Sequence, residues 1–349
     1  MKIVVAPDSY KECLSAAQVA EAVAEAVAER WTGAQVVQLP LADGGEGTLD
    51  VLAGPMGVHI ENATVHDPLG RPVRACYGVS CEMAVIEVAQ ACGLHLLSKE
   101  ERNPVLASSY GAGELIVAAY DKGCRLFIIG LGGTATCDGG AGMMSVPGIH
   151  KALRDCSLEL LCDVRSPFVG PDGAARVFAP QKGASAQQVE ALEERMLIVA
   201  GEMMAETGID VSSTPGAGAA GGIAGALMAF SNALICSGIE RIMELCNFHG
   251  AISDASLIIT GEGKSDAQTL MGKVPYGVLS HSNGIPVALL SGRIENRHSL
   301  LQAGFSQVVE VSPHNLPLKE AMNHITALKN IKNAVLNLRV NDNEANITA

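Results

Sequence analysis

At both ends of the chain, short apolar segments alternate with segments of helical periodicity. The apolar segments lie at 2–6, 35–41, 256–260, 286–290 and 307–311. The helical patterns lie at 16–30, 274–282 and 298–303, and Ser15 is positioned to cap the first of them. Unbroken apolar strands are typical of parallel sheets that are covered by helices on both faces. We therefore predict an α/β fold in which both chain ends build one doubly wound, Rossmann-like parallel sheet.

The middle of the chain has a different pattern. Segments 73–79 and 83–88 favour an antiparallel pair, whereas apolar segments at 126–130 and 158–164 and helical patterns at 111–121 and 186–206 favour crossovers. We predict an inserted α/β domain with a mixed sheet. The chain has 349 residues, more than the ~250–300 at which single cores stop growing. The predicted domains are 1–60 with 240–340, the insertion 61–239, and a frayed tail at 341–349.

Composition narrows the range of partners and compartments. The formal net charge is −13, which opposes binding to nucleic acid or to anionic membranes. No apolar run reaches the ~18 residues that span a bilayer, and the first residues do not resemble a secretion signal. The ten cysteines show no C-x2-C spacing, which indicates reduced thiols. We expect a cytoplasmic protein.

Four unusual loops follow predicted strands, where open α/β sheets bind ligands. They lie at 7–11, 43–47, 130–142 and 261–266. The glycines of 130–142 would let backbone N–H groups surround an anion, so this loop is interpreted as a phosphate cradle. A purely structural glycine-rich turn is the alternative. The loop is not a Walker A motif, because no Gly-Lys-Ser/Thr closes it.

Acidic side chains are frequent in or beside these loops. Carboxylates at strand ends can hold Mg2+ and accept a proton from an attacking hydroxyl, as phosphoryl transfer requires. Each of them alone could instead be a helix cap or a solvated charge. The acidic candidates are Asp43, Glu46, Asp163, Glu262 and Asp266, and the cationic candidates are Lys11, Lys182 and Lys273, with Lys11 ranked first for its strand-end position.

A second glycine cluster lies at 215–226. Pyrophosphate binding and close helix packing explain it equally well. Its G-x-G-x-x-G spacing follows no clear strand, so a dinucleotide enzyme is only a third hypothesis. The histidines form no H-x-x-x-H pair and no serine nucleophile elbow is present, which argues against zinc and hydrolase chemistry.

Taken together, the motifs resemble those of the glycerate kinase family. The matching stretches are APDSYKECLSA (6–16), LADGGEGT (41–48), NPVLASSYGAGELI (103–116), GLGGTATCDGGAGM (130–143), CDVRSPFVGPDGAARVFAPQKGA (162–184), PGAGAAGGI (215–223) and ITGEGKSDAQTLMGKVP (259–275). The resemblance implies a kinase that uses ATP and Mg2+ to convert D-glycerate to 2-phosphoglycerate or 3-phosphoglycerate in sugar-acid breakdown. It also implies two α/β domains with the active site in the cleft between them.

The roles of individual residues are assigned from the chemistry of the loops in which they lie. The predicted catalytic residues are Lys11, Asp43, Asp163 and Asp266. The predicted substrate- or nucleotide-binding residues are Asp8, Ser9, Gly44, Gly45, Glu46, Gly132, Gly133, Thr134, Thr136, Asp138, Gly139, Gly140, Lys182, Gly261, Glu262 and Lys273. The predicted Mg2+ ligands are Asp163, Glu262 and Asp266. The partners are then ATP and D-glycerate, and the sequence leaves a homodimer open.

The chain departs from the family pattern in three places. Cys137 replaces a usual Asn, Arg165 follows Asp163 closely, and the segment 145–161 is much shorter than in typical members. Because the shortened segment could shape the acceptor pocket, the alternative to an active kinase is a catalytically impaired or re-specialised member that binds a small hydroxy acid or a nucleotide.

Overall fold

The structure is a computed structural model that describes Met1–Arg339. The chain packs as two compact units, which we call the terminal unit (Met1–Ala42 with the described residues from Met243) and the central unit (Asp43–Ile242). The first border between the units lies at 42/43 rather than near the predicted residue 60. The reason is that the helix at Thr48–Ala53 packs on strands of the central unit. The second border lies at 242/243, close to the predicted residue 240. The domain division itself stays a prediction, and the predicted tail at 341–349 lies outside the described residues.

Strands and helices alternate through most of the described chain. The strands are β1 (Lys2–Val5), β2 (Gln35–Gln38), β3 (His59–His66), β4 (Pro72–Ser80), β5 (Met83–Glu87), β6 (Leu126–Gly130), β7 (Ser157–Leu161), β8 (Leu234–Cys236), β9 (Leu257–Ser265), β10 (Val287–Ile294) and β11 (Gln307–Glu310). The α-helices are α1 (Ala16–Arg30), α2 (Thr48–Ala53), α3 (Ala89–Cys92), α4 (Tyr110–Asp121), α5 (Ala141–Met144), α6 (Ile149–Asp155), α7 (Ala174–Phe178), α8 (Ala186–Thr207), α9 (Ile223–Phe230), α10 (Gly238–Leu245), α11 (Phe248–Ile252), α12 (Val274–Ser280), α13 (Arg297–Ala303), α14 (Leu318–Ala321) and α15 (His324–Leu336).

The terminal unit contains one parallel sheet in the order β11-β10-β9-β1-β2. Ile3, Val4 and Val5 are all fully buried, and because successive side chains point to opposite faces, both faces of the sheet are covered. Helices α1 and α15 pack together against it, and α12 packs on β9 and β10. Ser15 caps the N-terminus of α1, and its hydroxyl accepts from the Gln18 N–H in a capping box.

The central unit contains a mixed sheet in the order β3-β4-β5-β6-β7-β8. The pairs β3–β4 and β4–β5 are antiparallel, and the pairs from β5 to β8 are parallel. One continuous hydrophobic core joins this sheet to the helices that pack on it, with Phe127, Met143, Phe168 and Leu227 among its buried members. The carboxyl ends of β5, β6 and β7 therefore lie side by side at one edge.

The predicted fold class is confirmed in both units, including the mixed sheet of the insertion. The pattern did not reveal β3, because only Val65 of its eight residues is buried and the other side chains are partly or fully exposed. Strand β9 extends to Ser265 and β10 to Ile294, so the predicted loop at 261–266 is mostly strand. The shortened segment 145–161 forms α6 and β7, and β7 pairs on both sides.

Two further sequence observations have structural counterparts. No helix between Met1 and Arg339 combines the length and the apolar character that crossing a membrane requires. None of the ten cysteines forms a disulfide within Met1–Arg339. Burial raises the pKa of the Cys92 thiol to about 12 and that of the Cys137 thiol to about 11.

Candidate active site

Two glycine-containing loops meet at the carboxyl edge of the central sheet. Gly44 has a φ of +88°, and a Cβ there would lie 2.7 Å from Leu161 Cβ. A Cβ on Gly132 would lie 2.6 Å from Gly45 Cα, and the Gly132 N–H donates to Gly44 O at 3.2 Å. Only glycine permits such a close approach of two backbones. These contacts explain why the loops after β2 and β6 both need glycines, and they fix the backbone beside Asp43.

Asp163 follows β7 at the same edge of the sheet. Its Oδ1 accepts hydrogen bonds from Ser237 Oγ at 2.7 Å and from the Gly238 N–H at 2.9 Å. Its Oδ2 is buried and has no hydrogen-bond partner among residues 1–339. Burial, and then the negative charge of Asp43, raise the pKa of this carboxyl, although Ser237 and the backbone N–H groups of Gly238 and Ile239 act to lower it. A buried carboxylate oxygen without a partner, close to a second carboxylate, favours binding of a cation or a proton.

Ser237 and Gly238, which orient Asp163, were not found by sequence reasoning. They directly follow β8, a strand of three residues that the pattern did not indicate. A Cβ on Gly238 would lie 2.1 Å from Asp43 O and 3.1 Å from Asp163 Oδ2, so this glycine is required where the two aspartates approach. The strand-end rule would have found both residues if β8 had been recognised.

A cavity of about 250 Å³ opens beside these aspartates, and central-unit residues form its lining. Asp43, Asp163, Gln181 and Lys182 give it polar groups, and Leu94, Leu131, Leu161 and Phe178 give it apolar walls; Gly44, Gly45, Gly132, Gly133, Thr134, Cys162, Val164, Ala219 and Ala220 complete it. Sequence reasoning missed Gln181 and the apolar walls. Gln181 lies next to Lys182 in the motif at 162–184, which was the available signal.

Lys182 is a buried lysine in this lining, with 4% of its surface exposed. Its ammonium donates to Thr134 Oγ1 at 3.1 Å and to Thr136 O at 2.7 Å, and both acceptors are neutral. Burial lowers the pKa of Lys182, although the nearby Cys137, Cys92 and Asp138 act to raise it. The Lys182 amino group is thus held in a fixed position at the cavity.

The second half of the loop at 130–142 lies away from the cavity lining. Asp138 is 1% exposed, and its carboxylate accepts from the N–H groups of Ser109, Gly140 and Gly142 and from Ser109 Oγ. A Cβ on Gly139 would lie 2.9 Å from Val199 Cγ1, and one on Gly140 would lie 2.6 Å from Ala226 Cβ. Asp138 therefore braces the loop internally, and a ligand role for these three residues stays a prediction.

The glycine cluster at 215–226 packs against the same loop. A Cβ on Gly221 would lie 2.0 Å from Thr136 O, and one on Gly218 would lie 2.3 Å from Pro167 O. A Cβ on Gly222 would lie 2.6 Å from Gly139 Cα. Close backbone packing accounts for these glycines, while Ala219 and Ala220 between them reach the cavity.

The terminal unit has its own polar cluster, centred on Glu262 of β9. Glu262 is 4% exposed, and its Oε1 accepts from Ser265 Oγ at 2.9 Å and from Thr269 Oγ1 at 2.6 Å. Its Oε2 lies 3.5 Å from Lys273 Nζ. Burial raises the pKa of Glu262, while Lys273 and the two hydroxyls oppose that shift. Both oxygens of this carboxylate thus have partners.

Other predicted residues surround this cluster. Asp266 caps the turn at Ala267–Met271 by accepting from the Gln268 N–H, and its Oδ2 lies 3.4 Å from Lys264 Nζ. Burial acts to raise the pKa of Asp266, but the Gln268 N–H, Lys273 and Lys264 outweigh it and lower the pKa. The Asp8 N–H donates to Gly261 O at 2.8 Å, which joins the loop after β1 to β9.

The structure therefore sorts the predicted site residues into two groups. The terminal unit holds Asp8, Ser9, Lys11, Gly261, Glu262, Asp266 and Lys273, of which Lys11 is exposed. The central unit holds Asp43, Gly44, Gly45, Glu46, Gly132, Gly133, Thr134, Thr136, Asp138, Gly139, Gly140, Asp163 and Lys182, of which Glu46 is exposed. Among the described residues, no three His, Cys, Asp or Glu side chains come together to bind a metal ion by themselves.

Known proteins match this chain over almost its whole length. The family model described as "Glycerate kinase family" matches residues 3–149 and 144–339. A glycerate kinase of Bacillus subtilis (strain 168) is 39% identical over 357 aligned residues, which cover 93% of this chain and 94% of the relative. The chain belongs to the glycerate kinase family.

Two further members of the glycerate kinase family agree with this result. Glycerate 2-kinase of Escherichia coli (strain K12) is 42% identical over 308 aligned residues, covering 80% of this chain and 81% of the relative. A crystal structure assigned as glycerate kinase 2 from Salmonella typhimurium LT2 superposes with a TM-score of 0.80 at 38% identity, covering 96% of this chain and 95% of that one. The predicted family, the fold and the prediction of a kinase are confirmed.

The glycerate kinase family model matches this chain in two stretches rather than in one. These two stretches overlap at residues 144–149, at the start of the segment that we predicted to be shortened. In the structure this segment retains a helix and a paired strand, α6 and β7. Asp163 follows β7 and lies at the carboxyl edge of this sheet.

Proposed function

We propose that this chain transfers the terminal phosphate of ATP to a hydroxyl of D-glycerate. Membership of the glycerate kinase family supports phosphorylation of glycerate. The observation that carries the chemistry is Asp163, which lines a small cavity together with Asp43 and whose buried Oδ2 has no hydrogen-bond partner among residues 1–339. Phosphoryl transfer needs alignment of the reactants and neutralisation of charge more than it needs covalent chemistry.

In this proposal, the two aspartates of the central unit have different roles. Asp43 accepts the proton of the attacking hydroxyl, since the Gly45 N–H holds its Oδ1 at 3.1 Å in a loop fixed by glycine contacts. Asp163 would hold the Mg2+ that accompanies ATP, through the oxygen that has no hydrogen-bond partner within residues 1–339. Mg2+ bound there would neutralise charge on the phosphate oxygens. A single carboxylate suffices, because Mg2+ in kinases takes most of its other ligands from phosphates and water.

The remaining predicted residues keep supporting roles in the proposal. Lys182 supplies positive charge at the cavity, and Gly132 and Gly133 bring backbone close to its occupant. In the terminal unit, Lys11 and Asp266 stay predicted catalytic residues, at strand ends where α/β sheets bind ligands. Glu262 and Asp266 stay predicted Mg2+ ligands, and Glu262 and Lys273 stay predicted to contact the substrate or the nucleotide. The net charge of −13 and the ten cysteines, none of which forms a disulfide in the described structure, support a cytoplasmic enzyme without nucleic-acid or membrane partners.

The direct test is ADP release from Mg-ATP on addition of D-glycerate, followed by NMR identification of the phosphorylated product. We expect turnover that depends on all three components, and either 2-phosphoglycerate or 3-phosphoglycerate as product. ATP hydrolysis that ignores D-glycerate would contradict the proposal. Absence of turnover combined with thermal stabilisation by D-glycerate would instead favour an impaired member that still binds its ligand.

A further inference from the structure

The cavity in the central unit is small. Its volume is about 250 Å³, below the ~300–1,000 Å³ of pockets that enclose drug-sized ligands. Its walls combine apolar side chains with glycine backbone, and its charged lining residues are Asp43, Asp163 and Lys182. A compact molecule that carries one negative charge suits both the volume and this charge set.

Lys182 has an unused donor at this cavity. An ammonium group carries three N–H donors, and Thr134 Oγ1 and Thr136 O accept two of them. Within Met1–Arg339, no carboxylate comes within ion-pair distance of Lys182. A buried cation whose only partners are neutral retains a large desolvation cost, and an anionic ligand would offset it.

We infer that this cavity is the acceptor subsite and that Lys182 binds the carboxylate of the hydroxy acid through its third N–H. The inference rests on the proposed function and adds to it the position and charge of the acceptor. Because Lys182 is the cation among the lining residues and two aspartates share the lining, the cavity has one place for a carboxylate. A second carboxylate would face Asp43 and Asp163, so the site selects monocarboxylic hydroxy acids over dicarboxylic ones.

The test replaces Lys182 by an uncharged side chain of similar length. In Lys182→Met we expect kcat/KM for D-glycerate to fall about 10–100-fold, as for a lost hydrogen bond to a charged group, while the KM for ATP stays unchanged. Slow phosphorylation of glycerol, which has no carboxylate, should not change. The variant removes a buried charge but also the donor of Thr134 Oγ1 and Thr136 O, so we expect it to fold with a melting temperature close to that of the wild type.

A binding measurement without ATP separates this inference from the proposed function. D-glycerate should raise the melting temperature of the wild type but not of Lys182→Met, and tartronate, which adds a second carboxylate, should raise neither. Thr134→Val, which removes one acceptor that orients the ammonium, should weaken D-glycerate binding less than Lys182→Met. Lys151→Met is the matched control, because Lys151 is an exposed lysine of the same unit that pairs with Asp155.

The outcomes distinguish the two ideas. If D-glycerate stabilises the wild type through Lys182 but no phosphorylated product forms, the proposed function fails and the subsite survives. If the wild type phosphorylates D-glycerate and Lys182→Met changes the KM for ATP instead, the subsite assignment is overturned and the function survives. Stabilisation by tartronate equal to that by D-glycerate would also overturn the single-carboxylate inference.

Discussion

Asp163 of the central unit and Glu262 of the terminal unit are both buried acids at strand ends, and burial raises the pKa of both. Their surroundings differ in one respect. Glu262 has a partner at each oxygen, with two hydroxyls at Oε1 and Lys273 at Oε2. Asp163 has partners at Oδ1 alone, and its Oδ2 is bare among the described residues.

This difference distinguishes carboxylates that stabilise the fold from carboxylates that can bind a ligand. A carboxylate with a partner at each oxygen contributes mainly to the fold, because binding a ligand would require weakening existing contacts. A bare buried oxygen costs stability in the free protein, and that cost is recovered when a cation or a donor arrives. We therefore expect substitutions at Asp163 to act on turnover, and substitutions around Glu262 to act first on stability.

The largest expected effect is on turnover in Asp163→Asn. The amide can keep a carbonyl oxygen for Ser237 and Gly238, so the fold should persist while the negative charge is lost. We expect kcat to fall by about 10²–10⁴-fold, as when a charged group that acts in the transition state is removed. The measurement is ADP release with D-glycerate at several Mg2+ concentrations, and the variant should need more Mg2+ for its residual rate.

Asp43→Asn separates the roles of the two aspartates. It should lower kcat by a similar factor but leave the Mg2+ requirement unchanged, because Asp43 is proposed to accept a proton. Normal turnover in both variants would remove the aspartate pair from the mechanism. A raised Mg2+ requirement in Asp43→Asn alone would reverse the two assignments.

A smaller effect is expected from Gly238→Ala, which tests how closely the two aspartates are fitted together. The added methyl would lie 2.1 Å from Asp43 O and 3.1 Å from Asp163 Oδ2, so one or both loops must shift. A misplacement of this kind costs about 10–100-fold in kcat/KM, measured in the same assay.

Gly201→Ala in α8 is the control for this substitution. Gly201 is exposed in the helix, and nothing lies within 4 Å of a Cβ there. Alanine at such a site should stabilise the protein by about 0.5–1 kcal/mol and leave activity unchanged. Equal activity of both alanine variants would show that the tight contact at Gly238 does not position the aspartates.

Lys273→Met tests whether the contact between Lys273 and Glu262 contributes to the stability of the fold. It leaves Glu262 buried without its cation, and we expect a loss of about 1–2 kcal/mol in the free energy of unfolding at pH 8. The loss should shrink as the pH falls through the raised pKa of Glu262, because the protonated acid needs no cation. Urea titrations at pH 5 and pH 8 measure both values.

Lys264→Met is the matched control in the same segment. Lys264 is half exposed and pairs with Asp266 and Glu295, and surface pairs contribute about 0–1 kcal/mol. A loss in Lys264→Met as large and as pH-dependent as that in Lys273→Met would mean that general loop charge, rather than the Glu262 contact, stabilises the segment.

Sequence reasoning located the loops that form the site, but it could not tell which residues of a loop line the cavity and which brace the loop itself. The strand-end rule led to Asp43 and to the loop at 130–142, because apolar strands are evident from pattern alone. Within that loop, Gly132 lines the cavity whereas Asp138 bonds to neighbouring backbone. This distinction depends on the packing of the glycine cluster at 215–226, which is distant in sequence, so no local pattern contains it.

Short or polar strands account for the residues that were missed. Strand β8 has three residues and gives no periodic signal, so Ser237 and Gly238 after it were not considered. Strand β3 is an exposed edge strand whose polar residues resemble those of a loop. The resemblance to a known family identified the chain, but the partners of each carboxylate oxygen required coordinates.

The smallest expected effect is a change in how stability depends on pH in Asp163→Asn. The folded-state pKa of Asp163 lies above its ordinary value of 3.8, so between these two pKa values the folded state binds more protons than the unfolded state. Wild-type stability therefore falls as the pH rises through the raised pKa, and Asn at this position removes that contribution. Asp163→Asn should be more stable than the wild type at pH 8, with the difference shrinking toward pH 4, measured by urea unfolding of both proteins across this range. The sign is opposite to that expected for Lys273→Met, and a variant less stable than the wild type at pH 8 would mean that Oδ2 is not bare in the folded protein.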